Sequence, residues 1–260
     1  MNRTGLLVTL AIAAVVGVIF GFYPDLDLKV AALFFDPKHG NYELRQSLIV
    51  FRDGGMWLVG ILVAPAVIAL AVKLVFPRAR FIMSARAAIF LAATLALGPG
   101  LLVNAILKDH WPRPRPIDVR PLGGADRFVA WWDTRGDCPK NCSFVSGDIS
   151  AAIWTIAPAA LAPPAWRPLA YGAALAFTAG ISFQRMVLGG HFITDIVFAG
   201  VFTFLIIWLM HGLLYRWGAM RFSDEAIERA FARIARPRAQ FPPREPELQQ
   251  AQASKAERRS

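Results

Sequence analysis

Long runs without charge constrain this chain more than any other feature. Residues 6–23 and 87–107 carry no charged side chain, and residues 57–76 carry only Lys73, near one end, where a long stem can snorkel its ammonium to the interface. Residues 149–162 and 169–183 are uncharged but shorter, and residues 196–214 are uncharged apart from His211. A bilayer core about 30 Å thick takes roughly 17–25 apolar residues per spanning helix. Backbone inside lipid must satisfy its own hydrogen bonds, so such runs read as helices. The segments predict an all-α protein, a six-transmembrane-helix bundle over residues 1–214. The two shorter segments adjoin polar clusters around Asp148 and Arg185, which can carry the helix on into a wet cavity. Composition agrees, with 56% hydrophobic and 18% charged residues, where soluble domains carry about 25% charged. Arg3 ahead of the first run resembles a signal-peptide n-region, but the run is long and no clear Ala-x-Ala site precedes Tyr23, so it is read as an uncleaved helix.

The net charge is +10, a balance that suits nucleic acid or an anionic membrane surface. The apolar runs select the membrane, and no nucleic-acid partner is expected. Six spans leave both termini on one side, with 16 Lys and Arg against six acids; the other side has 12 of each. The positive-inside rule then puts the termini in the cytoplasm and the long connection 108–147 outside. Residues 215–260 form a basic tail. Ser223-Asp-Glu followed by apolar residues at helical spacing predicts one amphipathic helix over about 223–236, stopped by Pro237. Its face of Phe222, Ile227, Phe231 and Ile234 suits either the inner leaflet or a solvated tail helix. Beyond it the chain is Pro-, Gln- and Glu-rich, a composition typical of disorder.

Polar residues beside membrane spans are costly, so their grouping is informative. Three groups fall on the outward side. In the first, Lys108, Arg113 and Arg115 lie within eight residues, in a turn stiffened by Pro112, Pro114 and Pro116. A rigid cationic turn suits a tetrahedral dianion, and it equally suits headgroup anchoring. In the second, Ser146-Gly147-Asp148 opens a helix and can aim N–H groups and a hydroxyl at an anion, or simply cap the helix. The third holds Gln184, Arg185, His191 and Asp195. His191 and Asp195 are four apart and share a helix face. Asp195 can accept one imidazole N–H and leave the other nitrogen free as nucleophile or base.

Together the groups resemble the type 2 phosphatidic acid phosphatase and vanadium haloperoxidase superfamily. Its signature is Lys-x6-Arg-Pro, then Pro-Ser-Gly-His, then Ser-Arg-x5-His-x3-Asp. Lys108 and Arg115-Pro116 match the first part, Ser146-Gly147 the middle, and Arg185, His191 and Asp195 the last. The resemblance implies a membrane lipid-phosphate phosphatase that needs no metal or cofactor. His191 would form a phosphohistidine and Asp195 would orient it. Lys108, Arg115, Arg185, Ser146 and Gly147 would bind the phosphate. The stretch from Trp131 to Gly147 is similar to a bacterial subgroup that includes lipid A phosphatases, which implies a bacterial inner membrane and a periplasmic site.

This chain departs from the signature at three positions. Gln184 replaces Ser, Val145 replaces Pro, and Asp148 replaces the His that protonates the leaving oxygen. An aspartate is ordinarily ionised at neutral pH. Asp148 is therefore a substitute acid with a raised pKa, a salt-bridge partner of the cations, or a mark of reduced activity. His110 is a spare candidate acid. Cys138 and Cys142, in an outward loop, are either a local disulfide or two thiols. Trp131 and Trp132 suit the membrane boundary, as anchors or as guides for an amphiphile. The expected substrate is a lipid bearing a phosphate monoester or diphosphate. The alternatives are a lipid phosphotransferase using the same site and a non-catalytic phospholipid-binding protein.

Overall fold

The computed structural model describes residues 3–36, 42–76, 80–217 and 223–234. Most of these residues are helical, and among them an isolated bridge between Val119 and Asp126 is the sole β pairing. In chain order the α-helices are α1 (Arg3–Phe22), α2 (Asp25–Phe34), α3 (Tyr42–Val75) and α4 (Ala85–Leu95). The last continues as a π-helix (Ala96–Leu107) and ends in the single turn α5 (Lys108–His110). After a long irregular connection come α6 (Gly147–Trp154), α7 (Ile156–Leu161), α8 (Arg167–Val187), α9 (Ile193–His211) with a π-helical end (Gly212–Trp217), and α10 (Asp224–Ile234).

Four stretches are long and apolar enough to cross a bilayer: Arg3–Phe22, Glu43–Val75, Ala85–His110 and Ile193–Trp217. The other two expected spans are of a different kind. Gly147–Leu161 is a shorter apolar stretch broken at Thr155, and α8 is long enough but more polar. Of the six expected spans, four are thus long apolar helices, and the two expected to be shorter are the ones that differ. On α1, Leu7, Val8, Val15 and Val18 are exposed and no residue is buried, as on a helix facing lipid.

Helix α3 begins 15 residues before the expected span at Trp57. At 1.5 Å per residue its 34 residues measure roughly 50 Å, more than a bilayer core. The surplus turns, which carry Arg45 and Arg52, exceed the length a bilayer core needs. Lower on the same helix Val59, Val63, Ala66 and Ala69 recur on one face and pack with Phe90 and Leu91 of α4, Trp154 of α6 and Ile207 of α9. Polar pairs tie the same interfaces: Trp154 Nε1 donates to Thr94 Oγ1 at 2.9 Å, and Ser150 meets Thr203 at 2.6 Å. Lys73 does not snorkel. It is buried, with its ammonium 5.2 Å from the Phe81 ring centroid.

Pro99 has no N–H to give the helical ladder, and the helix around it widens to π geometry. The Asn104 side chain donates to the Pro99 carbonyl at 2.7 Å. At the far end of the bundle α10 docks on the start of α4. The Asp224 carboxylate accepts from the Arg86 N–H at 2.8 Å and the Ser84 hydroxyl at 2.9 Å, a favourable place for an anion at a helix N-terminus. Phe231 packs edge-on against Phe81, and Ile227 is buried. These two residues of the predicted apolar face therefore meet protein. Phe222 and residues 235 and 236 lie outside the described residues.

Candidate active site

The residues singled out from sequence meet at one end of the bundle. There α5 and α8 end, α6 and α9 begin, and the surplus turns of α3 overhang them. Backbone hydrogen bonds knit the three segments together. Cys142 N–H donates to the Lys108 carbonyl, Ser143 to Arg113, Ser146 to Asp195 and Ile117 to Gly189, at 2.8 to 3.3 Å.

His191 sits in the loop between α8 and α9 and is 2% exposed. Its Nδ1 lies 2.8 Å from the Ser143 carbonyl oxygen. A carbonyl only accepts, so Nδ1 carries the proton and Nε2 keeps a free lone pair. The Asp195 carboxylate, expected as the imidazole's partner, is 3.9 Å away. Its own contacts are with Ser143 Oγ at 2.5 Å, Phe192 N–H at 2.8 Å and Arg113 Nη1 at 2.6 Å. Asp195 is therefore linked to His191 through Ser143, which both of them contact. Burial, then the positive charges of Arg185, Arg115 and Lys108, push the His191 pKa well below its ordinary value. The imidazole is neutral near pH 7, as a nitrogen nucleophile requires.

The three cations near His191 come from three different elements. Lys108 Nζ donates to Asn141 Oδ1 at 3.2 Å, and Arg115 Nη2 donates to the Asn141 carbonyl at 2.8 Å and to its Oδ1 at 3.1 Å. Asn141 adopts a left-handed conformation (φ 53°) within the loop closed by a Cys138–Cys142 disulfide. Asparagine tolerates that conformation better than most residues. Arg185 Nε is 3.3 Å from the Asp148 carboxylate. Two glycines allow the close approach. A Cβ on Gly190 would stand 2.7 Å from the Arg185 guanidinium carbon, and one on Gly147 would meet Asn104 Oδ1 at 2.6 Å and Lys108 Nζ at 3.3 Å. Ser146 caps α6, its Oγ accepting from the Ile149 N–H at 3.4 Å.

Asp148 is bound to a residue that sequence reasoning missed. Arg52 donates to both its oxygens, Nε at 2.9 Å and Nη2 at 3.0 Å. With Arg185 beside it as well, the carboxylate is held as an anion. The candidate acid His110 bonds the Ile106 carbonyl of its own helix at 2.8 Å. Trp131 lies against Phe198 and Phe144, while Trp132 is half-exposed.

Arg113 departs from the expected cationic turn. It is fully buried. Its guanidinium donates to Asp27 at 2.7 Å, Asp195 at 2.6 Å, Thr194 Oγ1 at 2.8 Å and the Val129 carbonyl at 3.2 Å, over the face of Phe192. Asp27, from α2, also accepts from Thr194 Oγ1 at 2.6 Å. An acid between Leu26 and Leu28 beside a membrane span was the signal available in the sequence.

A helical bundle with a histidine, three surrounding cations and a glycine-lined approach defines a phosphate-handling membrane protein. Residues 86–219 match the PAP2 superfamily, and the chain belongs to that family. It is 32% identical over 221 residues to a lipid A 4'-phosphatase of Francisella tularensis subsp. novicida, covering 83% of this chain and 98% of that protein. It is 38% identical over 104 residues to a lipid A 4'-phosphatase of Rhizobium leguminosarum, covering 40% of this chain and 45% of the relative. A lipid A 4'-phosphatase of Rhizobium etli is also 38% identical, over 102 residues, 39% of this chain and 40% of the relative. No solved structure matches the chain.

Proposed function

We propose that this protein hydrolyses the phosphate monoester of a lipid of the lipid A class through a phosphohistidine on His191. The observation that carries this is the buried neutral imidazole, its Nδ1 tied to Ser143 and its Nε2 left free beside Lys108, Arg115 and Arg185. Nε2 attacks phosphorus and the bond to the lipid oxygen breaks. Water then attacks the phosphohistidine, releasing phosphate and restoring His191. Phosphoryl transfer rests mainly on positioning and charge stabilisation. The cations bind the phosphate oxygens, and Ser146 Oγ and the Gly147 N–H add hydrogen bonds. The relative aligned over 98% of its length supports the substrate class.

Asp148 donates the proton to the leaving oxygen in this reading. An arriving phosphate dianion competes with Asp148 for Arg185, and its negative charge favours protonation of the neighbouring carboxylate. The α6–α7 pair and α8 complete six crossings, with both termini cytoplasmic and the site facing outward. The whole is an integral protein of the bacterial inner membrane.

Phosphate release from a panel of lipid phosphates, scanned over pH, tests the reading. Lipid A is expected to be turned over, with kcat following a bell. Protonation of His191 forms the acid limb. Its lowered pKa places that limb well below pH 6.5, where an ordinary histidine would already be half protonated. Loss of the Asp148 proton forms the alkaline limb, and Asp148→Asn should lower kcat about a hundredfold and remove that limb. An Asn variant within threefold of wild type reduces Asp148 to an ion-pair partner. No release from any lipid rejects the reading.

A further inference from the structure

Beside the histidine is a cavity of about 290 Å³ whose wall holds Arg45, Arg52, Arg115, Arg185 and Gln184. At about 30 Å³ per water molecule it offers some ten waters' space, near the lower end of small-molecule sites. Arg115 and Arg185 serve the phosphate at His191. Arg45 and Arg52 come from the surplus turns of α3, seven residues apart and so on one face, roughly 10 Å along the axis. Arg52 is committed to Asp148 and Asp53. The Arg45 side chain is exposed, with no ion pair to another described residue.

A second observation comes from Gln184. It is fully buried, lines this cavity, and neither Nε2 nor Oε1 has a hydrogen-bond partner. Buried amides are nearly always satisfied, so an unmet one in the wall of a cationic cavity points to a polar ligand that the side chain reaches by a small rotation. Nε2 requires an acceptor such as a phosphate oxygen, and Oε1 a donor such as a hydroxyl or amide N–H on the same headgroup.

We propose that Arg45, Arg52 and Gln184 form a second anion subsite, which takes a phosphate-class anion other than the phosphoryl group undergoing transfer. The source is either a second phosphate on the same lipid or free inorganic phosphate. The lipid arm rests on the phosphatase reading.

The test compares purified full-length wild type with Arg45→Gln and Gln184→Leu on two lipids of identical chains, bearing one or two phosphates. If the lipid supplies the anion, each variant lowers the preference in kcat/KM for the bisphosphorylated lipid about tenfold, the loss of one charge-assisted contact. If free phosphate supplies it, each variant raises the inhibition constant of inorganic phosphate about tenfold on both lipids. Gln184→Leu should also raise Tm, because it removes the unmet amide at similar volume. A merely structural Gln184 would instead lower Tm and leave KM and inhibition unmoved, which overturns its part. Preference and inhibition both unchanged in Arg45→Gln overturns the subsite. If wild type turns over neither lipid, the phosphatase reading fails separately. The subsite is then judged by equilibrium binding of the two lipids and of phosphate, where about tenfold weaker binding by Arg45→Gln supports it and equal binding rejects it.

Discussion

His191→Ala should lower kcat/KM for the lipid phosphate by about four orders of magnitude or more, leaving a residue of catalysis from the cations alone. The size follows from the geometry. Lys108, Arg115 and Arg185 stabilise a phosphate but cannot form a bond to phosphorus. The free Nε2 is the group the site offers for that step. The alanine protein should still fold. It loses a buried ring and leaves the Ser143 carbonyl without its partner, a cost of about 1–3 kcal/mol. It should also still bind the lipid, because the cations remain, so binding and turnover separate in this variant. Parallel loss of both would mean that His191 is structural.

The second large effect is on stability. Arg113→Leu should destabilise the protein by about 3–5 kcal/mol, because it strips the cation from two buried carboxylates, Asp27 and Asp195. The expected readout is a large fall in Tm and in the yield of monodisperse protein. Arg113→Lys should not restore it, since one ammonium cannot reproduce the fork that reaches Asp27, Thr194 and Asp195 together. Adding Asp27→Asn to Arg113→Leu should recover part of the loss by removing one unpaired charge. Activity in any surviving protein should fall too. Asp195 and Ser143 hold His191, and Arg113 holds Asp195. A wild-type Tm for Arg113→Leu would contradict this role.

Much of the site was legible because its parts are local. Lys108 to Arg115, Ser146 to Asp148 and Arg185 to Asp195 each span eleven residues or fewer, so each group stood out as one polar cluster in the sequence. Their convergence followed from the family resemblance. What escaped came from elements whose position depends on tertiary packing. Arg45 and Arg52 precede the apolar run of α3, where hydropathy marked no helix, although their seven-residue spacing already fits one face. Arg113 and Arg115, two apart in one Pro-rich turn, have opposite fates, and no local rule distinguishes the inward one. The four-residue spacing of His191 and Asp195 correctly placed them together. It could not reveal that Ser143 lies between them. The fold shows the same pattern. The long apolar helices were plain, but Pro99 and the break at Thr155 replace regular spans with π-helical and short segments.

The covalent step is the centre of the account, and it can be observed directly. Wild-type protein mixed with lipid carrying labelled phosphate and quenched in alkaline detergent within one turnover should retain label that is stable to alkali and released by acid. Peptide mapping should place that label on His191, and His191→Ala should retain none. Label on another residue, or lipid turnover at the wild-type rate by His191→Ala, would contradict it.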